Sequence, residues 1–137
     1  MELRGSAVAG IGSHVPEKVL TNADLEDMVD TSDEWIVSHT GIRERRVIAD
    51  DEETSDLAVR ASTQALKGAH LDAEDLDLII CSTVTSDTLF PATAAVLEDK
   101  LGANRAATYD LVTGCTGYVA AMITGSQFIQ TGAYDNV

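Results

Sequence analysis

Cysteine, proline and basic residues are all scarce here, at 2, 2 and 9 among 137 residues, and each scarcity excludes something. Cys81 and Cys115 match no Cys-x-x-Cys or Cys/His ligand spacing, and two thiols make a poor disulfide framework. Neither a metal site nor a disulfide-stapled secreted domain is expected, and a reducing, cytoplasmic setting is. The nine basic residues face 23 acidic ones, for a net charge of −14 with no lysine or arginine tract to offset it. Such a surface repels a phosphate backbone, so nucleic acid is not an expected partner, and solubility is the first use of the charge. No apolar run approaches the length that spans a bilayer, and the amino-terminal "MELRGSAVAGIGS" is broken by glycines and lacks a cleavage-like site. No membrane association is expected.

What is present is the composition of a globular chain, 45% hydrophobic. A domain of this length buries about two-thirds of the surface its unfolded chain exposes. Residues 5–11 read as a glycine-tolerant strand, followed by "SHVPEKVLTN", a connection rich in turn formers. Asn22 is placed to cap "ADLEDMV", and Thr31 or Ser32 to cap a second short helix that ends on Gly41. The alternating "IRERRVIA" follows. Thr54 or Ser55 then precedes a longer helix whose Leu57, Ala58, Ala61 and Ala65 form one apolar stripe.

The run from Leu76 to Val84 is continuous, rich in isoleucine and valine and too short for a typical helix, so a fully buried strand is expected there. "FPATAAVLEDKLG" reads as a helix with Pro91 at its first position and Gly102 just past its end. "AATYDLV" is a second buried strand, and a helix from about Thr116 to Thr131 follows. That helix carries no charge and has small or apolar residues on nearly every face, which predicts burial on all sides. Strands alternating with helices imply parallel pairing, and a wholly buried helix implies sheets on both sides of it, an architecture larger than this chain. "GAYDNV" ends where another strand is due, so a piece of a longer polypeptide is expected.

Cys115 lies between the second strand and this last helix, flanked by Thr113, Gly114, Thr116 and Gly117. Strand, tight turn and helix with a nucleophile at the bend is the logic of the hydrolase nucleophile elbow. Glycines allow close approach of a substrate carbonyl, and a helix amino terminus offers free N–H groups and a positive dipole end, both favouring a thiolate. A lone cysteine in an apolar region is also commonly a small buried hydrophobe, and the local pattern leaves both readings open. For Cys81, in mid-strand, the buried reading is taken. A partner base is not apparent: His14, His39 and His70 all fall in loop or helix-end contexts.

Taken together, "TSDEWIVSHTGIRERR" and "DLVTGCTGYVAAM" with "QFIQTGAY" resemble β-ketoacyl-acyl-carrier-protein synthase III, the thiolase-fold condensing enzyme that starts bacterial fatty-acid synthesis. "VPEKVLTN", "ETSDLAVRA" and "LFPATA" extend the resemblance over essentially the whole chain. It implies an α/β, thiolase-like layered αβαβα fold, with residues 1–137 as the amino-terminal half of the condensing-enzyme domain and the carboxy-terminal half absent. It implies that Cys115 accepts an acyl group from acyl-CoA, most simply acetyl-CoA, and passes it to malonyl-acyl-carrier protein by decarboxylative condensation. Acyl-CoA is then a substrate, and no cofactor is expected.

By the same resemblance Trp35 stacks on the adenine of coenzyme A and Thr31 lines that pocket, whereas an isolated tryptophan would otherwise be read as a core or surface anchor. His39 stands where the family often has an arginine that also contacts adenine. Phe90 matches a phenylalanine that crosses a homodimer interface to floor the neighbour's acyl tunnel, with a core role as the plain alternative. Arg43, Arg45 and Arg46 could hold phosphates, but a solvated strand edge is preferred for them. The family's histidine and asparagine lie in the half beyond this chain. As a lone chain it is expected to be inactive in condensation. A starter enzyme of polyketide or specialised-metabolite assembly shares these blocks, and a noncatalytic interaction module is the reading from another class.

Overall fold

The computed structural model describes residues 4–137, so the first three residues of "MELRGSAVAGIGS" lie outside the described residues. The chain forms two compact units, one of Val15–Glu52 and one of Met1–His14 with Glu53–Val137.

In the smaller unit, β1 (Lys18–Thr21) pairs antiparallel with β2 (Glu44–Val47), and between them run α1 (Asn22–Glu26) and α2 (Asp33–Thr40). The strand β1 falls inside the segment expected to be a connection. Four residues of "KVLT" carry little periodic signal, and only pairing with β2 defines them as a strand. The cap of α1 is Thr21 rather than Asn22: Thr21 Oγ1 accepts from the Asp24 N–H at 3.2 Å, and the Asp24 carboxylate accepts from the Thr21 N–H at 2.8 Å. This reciprocal capping box satisfies two otherwise orphaned donors. Asn22 is instead buried, donating to Asp33 Oδ1 and the Ile42 carbonyl and accepting from Arg45 Nη1 at 2.7 Å. The helix α2 starts and stops as expected, with Ser32 as cap and Gly41 at φ 74°. Its one buried apolar side chain is Ile36.

In the larger unit, α3 (Thr54–Ala69) leads to β3 (Leu78–Ser82), α4 (Thr93–Leu101), β4 (Ala107–Leu111) and α5 (Gly117–Gln130). The strands β3 and β4 are parallel, with Cys81 opposite Asp110 and Ser82 opposite Leu111. Successive strand residues point to opposite faces, and the two isoleucines of β3 show it. Ile79 joins the buried cluster of Ala94, Leu97 and Ala103 on the α4 side, while Ile80 reaches Gly125 of α5. Leu78 and Ile79 are buried, but the rest of β3 is only half-buried.

Several helix ends depart from the sequence pattern. The cap of α3 is Glu53, one residue ahead of the expected hydroxyls, and Ser55 is fully buried, accepting from Lys100 Nζ at 2.6 Å. Pro91 precedes the cap of α4 rather than occupying its first position, and the Phe90–Pro91 peptide is cis. In place of a capping hydroxyl, Asp110 from β4 accepts from the N–H groups of Thr93 and Ala94, both at 2.8 Å.

Residues 5–11 form no strand. They have no ladder partner among the described residues and instead lie along α3, where Gly10 and Gly12 come so close to the Ala65 and Ala61 carbonyls that a Cβ would lie 2.1 and 1.9 Å from them. The expected burial of α5 on every face is not seen either. Gly117 and Gly125 are buried, whereas Tyr118, Val119, Met122 and Ile123 are exposed among the described residues. No helix of the described residues is long and apolar enough to cross a membrane.

Candidate active site

Cys115 sits in a single 3-10 turn, Gly114–Thr116, between β4 and α5. The turn is made possible by Gly114 at φ 64°, a backbone that favours glycine, and held by Thr116 Oγ1 donating to the Thr113 carbonyl at 3.1 Å and by the Gly117 N–H donating to the Gly114 carbonyl. The Cys115 thiol is exposed. No side chain caps α5, so its leading N–H groups, two residues on from Cys115, are left without a side-chain acceptor. A turn of this shape presents a soft nucleophile next to backbone donors able to receive a developing oxyanion.

Cys81, also unpaired, has different surroundings. It is half-buried within β3, and burial, assisted by the charges of Asp110 and Asp87, pushes its thiol up to about 11 from 9.0. The sequence reading had Cys81 buried; it is half-buried, and its surroundings disfavour the thiolate.

A second cluster belongs to the smaller unit. Asp30, Thr31, Ser32 and Trp35 line an open cleft of about 360 Å³. The Ser32 cap that starts α2 accepts from the Trp35 N–H at 3.1 Å and so fixes the backbone from which the indole projects. Trp35 is 57% exposed, far from the core role open to a lone tryptophan. His39, one turn on, stacks against the indole with ring centroids 4.5 Å apart and planes 22° apart, and its Nδ1 donates to the Trp35 carbonyl at 2.8 Å. Thr31 and Trp35 thus line one cleft, and His39 packs on the indole without lining it.

Phe90 is 88% exposed at the tip of the loop between β3 and α4, beside a fully exposed Leu89, so the core alternative does not hold for it. Arg45 is engaged with Asn22, and Arg46 with the Pro16 and Glu17 carbonyls and Glu44. Both serve the β1–β2 ribbon. His14 Nε2 accepts from Arg60 Nη1 at 3.0 Å, and His70 closes α3 at φ 58°. Two residues matter here in ways that sequence reasoning did not find: Asn22, read as a helix cap, ties α1 to α2 and β2, and Asp110, not singled out at all, anchors α4. Neither has a local signal, because each acts on residues 11 or more positions away.

No protein-family model matches the chain. Among curated proteins it is 53% identical over 130 residues to the beta-ketoacyl-[acyl-carrier-protein] synthase III of Geobacillus kaustophilus, a match covering 95% of this chain and 42% of that protein. Among solved structures it matches the 3-oxoacyl-[acyl-carrier-protein] synthase III of Aquifex aeolicus at TM-score 0.90 and 41% identity, over 93% of this chain and 41% of the other. The priming beta-ketosynthase of the R1128 polyketide biosynthetic pathway matches at TM-score 0.93 and 33% identity, over 97% of this chain and 40% of the other. The chain thus spans about two-fifths of the length of the relatives it matches. In sequence and fold the chain is thus similar to β-ketoacyl-acyl-carrier-protein synthase III over nearly all of its own length, and it has the mixed helix-and-strand, thiolase-like fold of those proteins.

Proposed function

We propose that the polypeptide carrying this chain is a cytoplasmic, homodimeric acyltransferase that initiates fatty-acid synthesis, with Cys115 as the acyl acceptor. The observation that carries this reading is the exposed thiol in the Gly114–Thr116 turn at the start of α5. The Cys115 thiolate attacks the thioester carbon of an acyl-CoA, acetyl-CoA in the simplest case. The carbonyl oxygen takes up negative charge facing backbone N–H groups of the turn, and collapse expels the coenzyme A thiolate, which takes a proton. The malonyl group of malonyl-acyl-carrier protein then loses carbon dioxide. The electron pair of that broken bond attacks the acyl carbon on Cys115, and the cysteine leaves as thiolate. Capture on the enzyme divides one difficult condensation into two accessible steps. No resident cofactor enters this scheme, and the histidine and asparagine that would serve the enolate belong to the part of the family's fold beyond this chain.

The cleft of Asp30, Thr31, Ser32 and Trp35 supports the coenzyme A half of the reading. One indole face is covered by His39, and stacking an aromatic base on an exposed indole stabilises a complex by about 1–3 kcal/mol. Phe90, exposed at its loop tip, suits the role of reaching into the acyl site of a second copy.

In the native polypeptide, incubation with radiolabelled acetyl-CoA followed by peptide mapping is expected to label Cys115 and leave Cys81 clean. Label on Cys81, or on neither thiol, overturns the assignment. Trp35→Ala is expected to weaken coenzyme A binding about tenfold, the lower part of the stacking range, and unchanged affinity removes Trp35 from the site. The match to a priming ketosynthase of polyketide assembly favours one second reading, a starter enzyme of that kind. Mass spectrometry of the acyl group carried by Cys115 in cells distinguishes the two.

A further inference from the structure

Gly117 opens α5 where that helix comes closest to the end of β3. Its backbone, at φ −55° and ψ −45°, is ordinary helix, which any residue adopts and which glycine adopts less favourably than alanine. Conformation therefore does not call for a glycine there, but space does. A Cβ on Gly117 would lie 2.1 Å from Ser82 Oγ, a distance at which atoms overlap, while its next neighbours, Ser82 Cβ at 3.4 Å and Thr113 Oγ1 at 3.5 Å, are in ordinary contact. One hydroxyl oxygen makes the whole conflict.

That oxygen is well placed to matter. Ser82 is the last residue of β3 and pairs with Leu111, the last residue of β4, so it stands beside the point where the chain leaves the sheet for the Cys115 turn. The turn is short and closed by its own hydrogen bonds, from Thr116 Oγ1 to the Thr113 carbonyl and from the Gly117 N–H to the Gly114 carbonyl. A methyl at Gly117 displaces either that hydroxyl, by rotation of the Ser82 side chain, or the start of α5, and a displacement of α5 is carried to Cys115, two residues earlier.

We propose that Gly117 is a positioning residue: its lack of a side chain lets the start of α5 seat against the Ser82 hydroxyl at the end of β3 and so sets where the Cys115 thiol stands relative to the strand ends. This rests on the reading of Cys115 as the acyl acceptor, for which position is decisive, since displacement of a reacting group by about 1 Å can cost on the order of 100-fold in rate.

The experiment compares Gly117→Ala, Ser82→Ala and the double variant in the native polypeptide. It measures the rate of Cys115 acylation from acetyl-CoA and, as a probe that needs no enzymatic activity, the rate of Cys115 alkylation by iodoacetamide. Gly117→Ala is expected to slow acylation about 100-fold, Ser82→Ala to alter it less than about threefold, and the double variant to return within about threefold of the parent. The recovery follows because removing Oγ leaves the new methyl only the contacts at 3.4 and 3.5 Å. Alkylation rates are expected to depart from and return to the parental value in the same pattern. A Gly117→Ala protein with parental rates, or a double variant as impaired as Gly117→Ala, overturns the proposal. If Gly117→Ala fails to fold, a folded double variant with parental rates supports the contact and an unfolded one overturns it. If the parent takes up no acetyl group, the acyl-acceptor reading fails, and the alkylation pattern alone decides whether the contact positions Cys115.

Discussion

Cys81 lies within, and Cys115 just beyond, neighbouring parallel strands of one small sheet, and their thiols meet opposite surroundings. Cys81 lies one residue before the end of β3, against the core formed with α4, and faces the carboxylate of Asp110 in register. Cys115 lies four residues past the end of β4, where Gly114 turns the chain out of the sheet and into the open. Both are unpaired cysteines beside small polar residues. The comparison teaches that a few residues along the strand axis decide whether a thiol is an inert filler or a candidate nucleophile, because desolvation and a nearby negative charge both hold the thiol protonated.

The largest expected effect tests this contrast directly. With its thiol raised from 9.0 to about 11, Cys81 carries about one-hundredth of the thiolate of an ordinary cysteine at pH 8, and alkylation there is expected to be slowed at least about 100-fold by that alone. Peptide mapping after brief iodoacetamide treatment should find Cys115 modified and Cys81 spared, with Cys81 modification climbing as pH rises toward 11. Because the folded state holds the Cys81 proton more tightly than the unfolded chain does, its contribution to stability is full below about pH 9 and is lost as pH rises through about 11. Comparable modification of both thiols at pH 8 would erase the distinction.

A middling effect is expected at Asp110, the residue opposite Cys81. Asp110→Ala strips the first two N–H groups of α4 of their acceptor and should lower stability by about 2 kcal/mol, read as a shift in the urea midpoint. It should also make Cys81 more reactive, since the Asp110 charge helps raise that thiol. The smallest effect concerns acid. Asp77, held low by the N–H groups of Asn136 and Asp135, and Asp56, held low chiefly by its hydrogen bond from Lys100, titrate below the usual 3.8. Their folded-state pKa values are depressed, so the stabilisation is present above about pH 4 and is lost as pH falls through the lowered values. Asp77→Asn should flatten the acid side of the stability profile slightly, and an unchanged profile would remove Asp77 from that account.

Much of this molecule was legible residue by residue. The Ser32 cap and Gly41 stop of α2, the Gly102 stop of α4 and the turn that holds Cys115 follow from patterns within a few positions, and the parallel pair β3 and β4 from the alternation of strands with helices. The misses share a cause. Thr21 displaced Asn22 as a cap because Asn22 is consumed by Asp33, Ile42 and Arg45, partners 11 to 23 positions away. The strand β1 exists through β2, and residues 5–11 are no strand for want of such a partner among the described residues. Tyr118, Val119, Met122 and Ile123 on α5 are exposed because the second sheet that their apolar character calls for is not among the elements of the described residues, burial being a property of neighbours and not of a pattern.

The order of residues alone settled the local geometry: which peptides turn, which segments coil, and that a cysteine stands at the exit of a strand, with the marker sequences that relate the chain to a condensing enzyme. Caps, glycines and hydrophobic period act over one or two turns of chain, so they are written in adjacent letters. Folding settled the rest: that Cys115 is open while Cys81 is half-buried and held protonated, and that a missing side chain at Gly117 meets a hydroxyl at Ser82. These depend on desolvation and close contact between residues far apart in sequence, and such distances come into being only when the strands and helices assemble.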